Sequence, residues 1–122
     1  MSLSLFGAKS PDDWAPSREQ VTFIEKKIHL PEEAPGPLSK YERYYTGVIE
    51  DHKRLVYAEL VFVDLLGASA SAAGGGHAHI VTQSEIPAIK DGGCGVVIFY
   101  FDLGRTTTPS MYCNANAADN AP

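Results

Sequence analysis

Cys94 and Cys113, the two cysteines of this chain, flank its most apolar segment. Between them run Gly95-Val96-Val97-Ile98-Phe99-Tyr100-Phe101 and a turn at Leu103-Gly104-Arg105. Antiparallel pairing about that turn sets Cys94 opposite Cys113, or one step away, with both side chains on one face of the sheet. Two thiols so placed make a structural disulfide, a redox pair or half of a metal site, and the spacing leaves all three open. As a nucleophile, Cys94 needs a base, and His77 and His79 are the nearest in type. Gly92, Gly93 and Gly95 leave backbone N–H groups free to lower a thiol pKa or hold an oxyanion. The same glycines also describe a plain bend at positive φ. A staple or two quiet core thiols is therefore expected ahead of a nucleophile. No Cys-x-x-Cys is present, so thioredoxin-like chemistry has no footing.

His77 and His79 stand at i and i+2, which on a strand points both imidazoles the same way and suits one metal ion. A third ligand is needed, and Asp64, Glu85, Asp91 or a cysteine of the neighbouring strand could supply it; without one, the pair is two exposed histidines beside a glycine loop. Tyr41, Tyr44, Tyr45 and Tyr57 cluster on the first hairpin, and Tyr44, Tyr45 and Tyr57 are the candidate binding residues, since tyrosine is favoured at interfaces. The alternative is packing against the helix and the next strand. Glu42 and Glu59 read as cross-strand surface pairs with Arg43 and Arg54. Glu32-Glu33 and Asp12-Asp13 read as solvated, so no paired carboxylates for acid–base work stand out.

The chain that must position these groups has 122 residues, 44% hydrophobic and 20% charged, which fits one globular domain, 1–122, of ordinary soluble type. Its net charge is −5 and no basic run occurs, so neither nucleic acid nor an anionic membrane is an expected partner. The longest apolar stretch is strand-sized, far below the ~20 residues of a membrane helix. Leu66 to Gly76 is glycine-rich but lacks a Gly-Lys-Ser/Thr or Gly-x-Gly-x-x-Gly register, and no cofactor is expected. Met1-Ser2-Leu3 resembles a cloning scar with no visible signal peptide. The bacterial cytoplasm and, had an export signal been trimmed away, the periplasm or secretion both stay open.

Residues 1–16 read as a loosely held arm anchored by Trp14. Ser17-Arg18-Glu19-Gln20 has the form of a capping box. Val21, Ile24 and Ile28 then make one helical stripe, with Lys26, Lys27 and His29 in the last turn and Pro31 as the stop. Residues 31–38 are a Pro-rich, extended and exposed linker. Tyr41 to Ile49 and Leu55 to Val63 form a hairpin about Asp51-His52, which places Tyr44 opposite Glu59 and Thr46 opposite Tyr57. Residues 66–76 are a flexible Gly/Ala/Ser loop. His77 to Gln83 resumes as a strand, Val96 to Asp102 is the candidate central strand, and Thr106 to Cys113 pairs with it, starting late because of Pro109. Residues 115–122 fray.

The expected fold is α+β: one N-terminal helix packed on a four- to five-stranded antiparallel sheet built from two hairpins. For function, the expectation is a small non-catalytic domain that binds a ligand or self-associates as a homo-oligomer through a sheet edge. The alternative is a metal-binding or cysteine-dependent enzyme centred on Cys94, Cys113, His77 and His79.

Overall fold

A computed structural model describes residues 14–67, 76–89, 92–105 and 109–114. Its elements are helix α1 (Arg18–Glu25) and strands β1 (Tyr41–Glu50), β2 (Lys53–Phe62), β3 (Ala78–Ile80), β4 (Gly93–Phe101) and β5 (Tyr112–Asn114). The strands form one five-stranded sheet in the order β3-β1-β2-β4-β5. The arrangement is α+β.

Helix α1 begins at the expected capping box. Ser17 Oγ accepts from the Gln20 amide, and the Ser17 amide donates to Gln20 Oε1. Its end differs from the expectation, because the helix stops at Glu25 with Lys26 as cap and has no basic residue in its last turn. Val21, Thr22, Phe23 and Ile24 are weak helix formers. Beyond them the chain gains more by seating Ile28 and Leu30 against the core than by a further turn.

The first hairpin follows the expected register, with Tyr44 opposite Glu59 and Thr46 opposite Tyr57. Its loop is Asp51-His52, both at positive φ (52° and 66°), the two-residue geometry that matches the twist of the flanking strands.

The second hairpin, β4 with β5, pairs antiparallel as expected, although β5 is three residues long. β4 pairs with β2 and β5 antiparallel, but β3 pairs with β1 in parallel, so the sheet is mixed and not purely antiparallel. β2 ends beside Tyr41 and β3 begins beside Arg43, so the connection from Phe62 to Ala78 leaves and returns at the same end of the sheet, with β1 between the two strands. β1 has a free edge, and the chain takes it: the Arg43 amide donates to the His77 carbonyl (2.8 Å) and the Val81 amide to the Tyr45 carbonyl (2.9 Å). The centre of the sheet is consequently β2, not the more apolar β4.

Residues 31–38 turn, with the Ala34 amide donating to the Pro31 carbonyl, and Ala34 and Leu38 pack against the core. The arm (residues 1–13), the centre of the glycine-rich loop (68–75) and the tail (115–122) lie outside the described residues.

The sheet has two unlike faces, set by parity. Tyr41, Tyr45, Val56, Ala58, Leu60, Val97, Phe99 and Phe101 point to one side and are closed over by Val21 and Ile24 of α1. Trp14 extends this cover, donating from Nε1 to the Val48 carbonyl at 2.9 Å. It lies so close over Gly47 that any Cβ there would collide with its backbone. Arg43, at the margin of this face, meets Glu25 at 2.6 Å and also donates to the carbonyls of Leu38, Tyr41 and Gly76. Tyr45 donates to the same Glu25 carboxylate at 2.7 Å, which ties helix to sheet.

Candidate functional site

The other face of the sheet carries the polar chemistry. Glu42, Tyr44 and Thr46 of β1 alternate with the core residues, and their cross-strand partners are Val61, Glu59 and Tyr57. The same face continues to Ile98 and Tyr100 on β4 and to His79 on β3.

At one corner, Glu42 is 8% exposed and both its oxygens are engaged from β3. His79 Nε2 lies 2.6 Å from Oε1, His77 Nδ1 lies 3.2 Å from Oε2, and the His77 amide donates to Oε2 at 3.3 Å. Burial pushes the Glu42 pKa up, but the hydrogen bonds from His79 and His77 outweigh it and hold the group below the ordinary carboxylate value. His79 also stacks on Tyr44, with ring centres 4.9 Å apart and planes inclined by 17°.

Further along this face, toward the hairpin loop, a groove of ≈ 570 Å³ opens between the sheet and the segment Gln83 to Ala88. Thr46, Tyr57, Glu59 and Tyr100 supply its floor from three strands, Glu50 stands at one end, and Gln83, Ile86 and Pro87 form the wall. Glu85 holds that wall segment in shape by capping Thr82 at 2.8 Å. Tyr57 and Tyr100 meet edge to face at 5.2 Å. Glu59 is 6% exposed, and its hydrogen bond comes from the Tyr57 hydroxyl at 2.9 Å. Burial pushes its pKa up, a rise only partly offset by that hydrogen bond. Burial raises the pKa of Tyr57, Tyr44 and Tyr100 as well, with nearby carboxylates adding to it, so these phenols stay neutral donors.

The carboxylates Glu25 of α1 and Glu42 and Glu59 of the sheet thus differ in one respect. Glu25 has Arg43 and Glu42 has two imidazoles, but among the described residues no Lys, Arg or His forms an ion pair with Glu59. A desolvated carboxylate answered by one neutral phenol is electrostatically incomplete.

Cys94 and Cys113 are joined in a disulfide, Cα atoms 4.4 Å apart. Their meeting does not follow the expected register, with Cys94 opposite Cys113 or one step away: Gly93 pairs with Asn114 and Val97 with Cys113, so β4 carries extra residues around Cys94 that bring the sulfurs together, and the Gly95 amide turns back to the Gly92 carbonyl. Tyr41, its hydroxyl pKa pushed up to about 12 by burial, donates to the Cys94 carbonyl at 2.6 Å. A Glu33 carboxylate oxygen lies within 4.8 Å of both sulfurs, which the disulfide withdraws from metal binding.

The structure therefore separates groups that sequence spacing had brought together. The histidines lie on the β3 edge and the cysteines on the β4–β5 edge, with β1 and β2 between, so His77 and His79 are not placed as bases for Cys94. Tyr44 and Tyr57 share the polar face, whereas Tyr45 is fully buried on the opposite one. Glu85 is engaged in its own cap, and Asp91 lies outside the described residues. Glu42 and Glu59 are buried and do not form surface pairs with Arg43 and Arg54. Arg43 turns to Glu25 across the sheet, and Arg54 lies over the Trp14 ring at 5.8 Å. Strand parity already carried this signal, since Glu42 and Arg43 are adjacent residues and must face opposite ways.

Compared with known proteins, the chain matches no protein-family model, no curated protein and no solved structure. Among the described residues, no helix is long and apolar enough to cross a membrane.

Proposed function

We propose that this protein is a small non-catalytic binding domain whose groove takes a ligand bearing an organic cation, an ammonium or guanidinium group. The observation that carries this reading is Glu59, a buried carboxylate on the groove floor with a phenol but, among the described residues, no cation beside it. The surrounding groups suit the same ligand. Tyr57 and Tyr100 offer ring faces and edges to a cation's alkyl groups, Glu50 adds a second carboxylate at the rim, and Thr46 and Gln83 add neutral hydrogen-bonding groups. The net charge of −5 favours the approach of a cation.

Self-association through a sheet edge draws less support, because the edge strands β3 and β5 are three residues long and present few free backbone groups. The test is a matched pair of probes, choline and its uncharged isostere 3,3-dimethylbutan-1-ol, titrated into the protein by calorimetry and by amide chemical shift. Choline should bind and perturb Tyr57, Glu59 and Tyr100, while the isostere should not. Equal binding of the two, or shifts outside the groove, refutes the reading.

A further inference from the structure

We infer that the groove takes a linear aliphatic diamine or polyamine, laid along the strands with one ammonium group at Glu59 and another at Glu50. The inference rests on the reading of Glu59 as a cation site and adds the shape and charge count of the ligand. Three observations carry it. The first is placement. Glu59 lies opposite Tyr44 of β1, and Glu50 stands six residues further along that strand, on the same face. At about 3.4 Å per residue the two positions are ~20 Å apart. The Tyr57 hydroxyl meets Glu59 from the loop side at 2.9 Å, while Glu50 lines the opposite end of the groove. The charge of Glu50 also reaches the floor, since burial first and Glu50 second raise the pKa of Tyr100.

The second observation is that Glu50, like Glu59, goes unanswered. Its cross-strand partner Lys53 lies 3.7 Å from Asp102 instead, and among the described residues no Lys, Arg or His forms an ion pair with Glu50. The third is the lining between the two carboxylates, which is mainly apolar or aromatic: Val48, Tyr57 and Tyr100 on the floor, Ile86 and Pro87 on the wall. Methylene groups pack against such a surface, and the tyrosine ring faces also suit an internal ammonium. A compact monocation leaves Glu50 unanswered, and a dication without a long spacer cannot reach both ends.

The test uses the whole chain and two probes of matched length, 1,8-diaminooctane and 8-aminooctan-1-ol, titrated by calorimetry at pH 7 with amide chemical shifts to locate binding. The diamine should bind in the groove roughly 3- to 5-fold more tightly, the gain that pairing with an exposed carboxylate gives. Glu50→Gln should erase that difference, with a thermal melt to check that the variant folds as the parent does. The shorter 1,4-diaminobutane, unable to span the groove, should show no advantage over 4-aminobutan-1-ol. Equal affinity of the two eight-carbon probes for the groove, or a diamine advantage that survives either Glu50→Gln or the shorter chain, overturns this inference and leaves the reading of Glu59 standing. Binding of neither probe in the groove overturns both.

Discussion

Replacing Glu59 by Gln should make the protein more stable at neutral pH and take away its affinity for a cation. The amide keeps the shape of the side chain and the oxygen that accepts from Tyr57, now at 2.9 Å, and removes only the charge. Burial raises the Glu59 pKa, so the folded state holds this proton more tightly than the unfolded chain does. The sign follows from linkage: the contribution of Glu59 is fully present below its unfolded pKa, ~4.3, and is lost as pH rises through the folded value. The variant lacks that loss. Its advantage over the parent should be absent in acid, open as pH climbs past ~4.3, and level off once the parent's carboxyl is fully ionised. For a domain of this size each kcal/mol gained is roughly 3–6 °C in melting temperature. Comparing variant with parent at each pH cancels the other carboxylates, including Glu42, whose shift runs the opposite way. The assay is thermal unfolding by circular dichroism between pH 4 and 8, paired with choline titration at pH 7. Losing the partner of a desolvated charge costs about 2 kcal/mol or more, so choline affinity should fall at least about 30-fold. A variant less stable than the parent at pH 7, or a difference independent of pH, refutes the electrostatic argument. A stabilised variant that still binds choline as the parent does leaves the electrostatics standing and sinks the proposed ligand.

Three other outcomes follow from the packing. Replacing both cysteines by serine releases a loop whose ends are 19 residues apart and should cost about 3 kcal/mol, read as a lower denaturant midpoint that matches the reduced parent. Intact mass with and without reductant should differ by two hydrogens, and the unreduced protein should resist alkylation. Arg43→Met strands the Glu25 carboxylate and three carbonyls and should cost about 2–3 kcal/mol in urea unfolding. His52→Gly removes a side chain held at φ 66° and should stabilise the hairpin by about 1 kcal/mol, visible as a higher melting temperature.

What the sequence disclosed about this fold was local or tied to a turn. The Ser17–Gln20 cap depends on four consecutive residues. The register of β1 on β2 depends on a two-residue loop. In each case the chain has few ways to close, so residue types and count decide the outcome. The position of β3 is of another kind. Ala78-His79-Ile80 is too short and too mildly apolar to choose its neighbour, and its long connection permits either edge and either direction. The choice falls to the unoccupied edge of β1, a property of the assembled sheet. Glu42 could not be assigned as the partner of the histidines until that edge was known.

The same alternation explains why the chemistry gathers where it does. β1 reads Tyr-Glu-Arg-Tyr-Tyr-Thr-Gly, and its odd-numbered residues Tyr41 and Tyr45 enter the core, while Glu42, Tyr44 and Thr46 are forced to the face that α1 does not cover. On β2 the rule sends Ala58 and Leu60 inward and Tyr57 and Glu59 outward, directly across from Thr46 and Tyr44. A sheet whose second face had merely to meet water would carry lysines and threonines there. This one carries carboxylates at 8% and 6% exposure, covered by a wall of Gln83 to Ala88 and a three-residue edge strand. Burying ionisable groups costs stability unless something answers their charge. The imidazoles answer Glu42 from within the chain. Among the described residues no cation answers Glu59, which is why we propose the groove as a place for one.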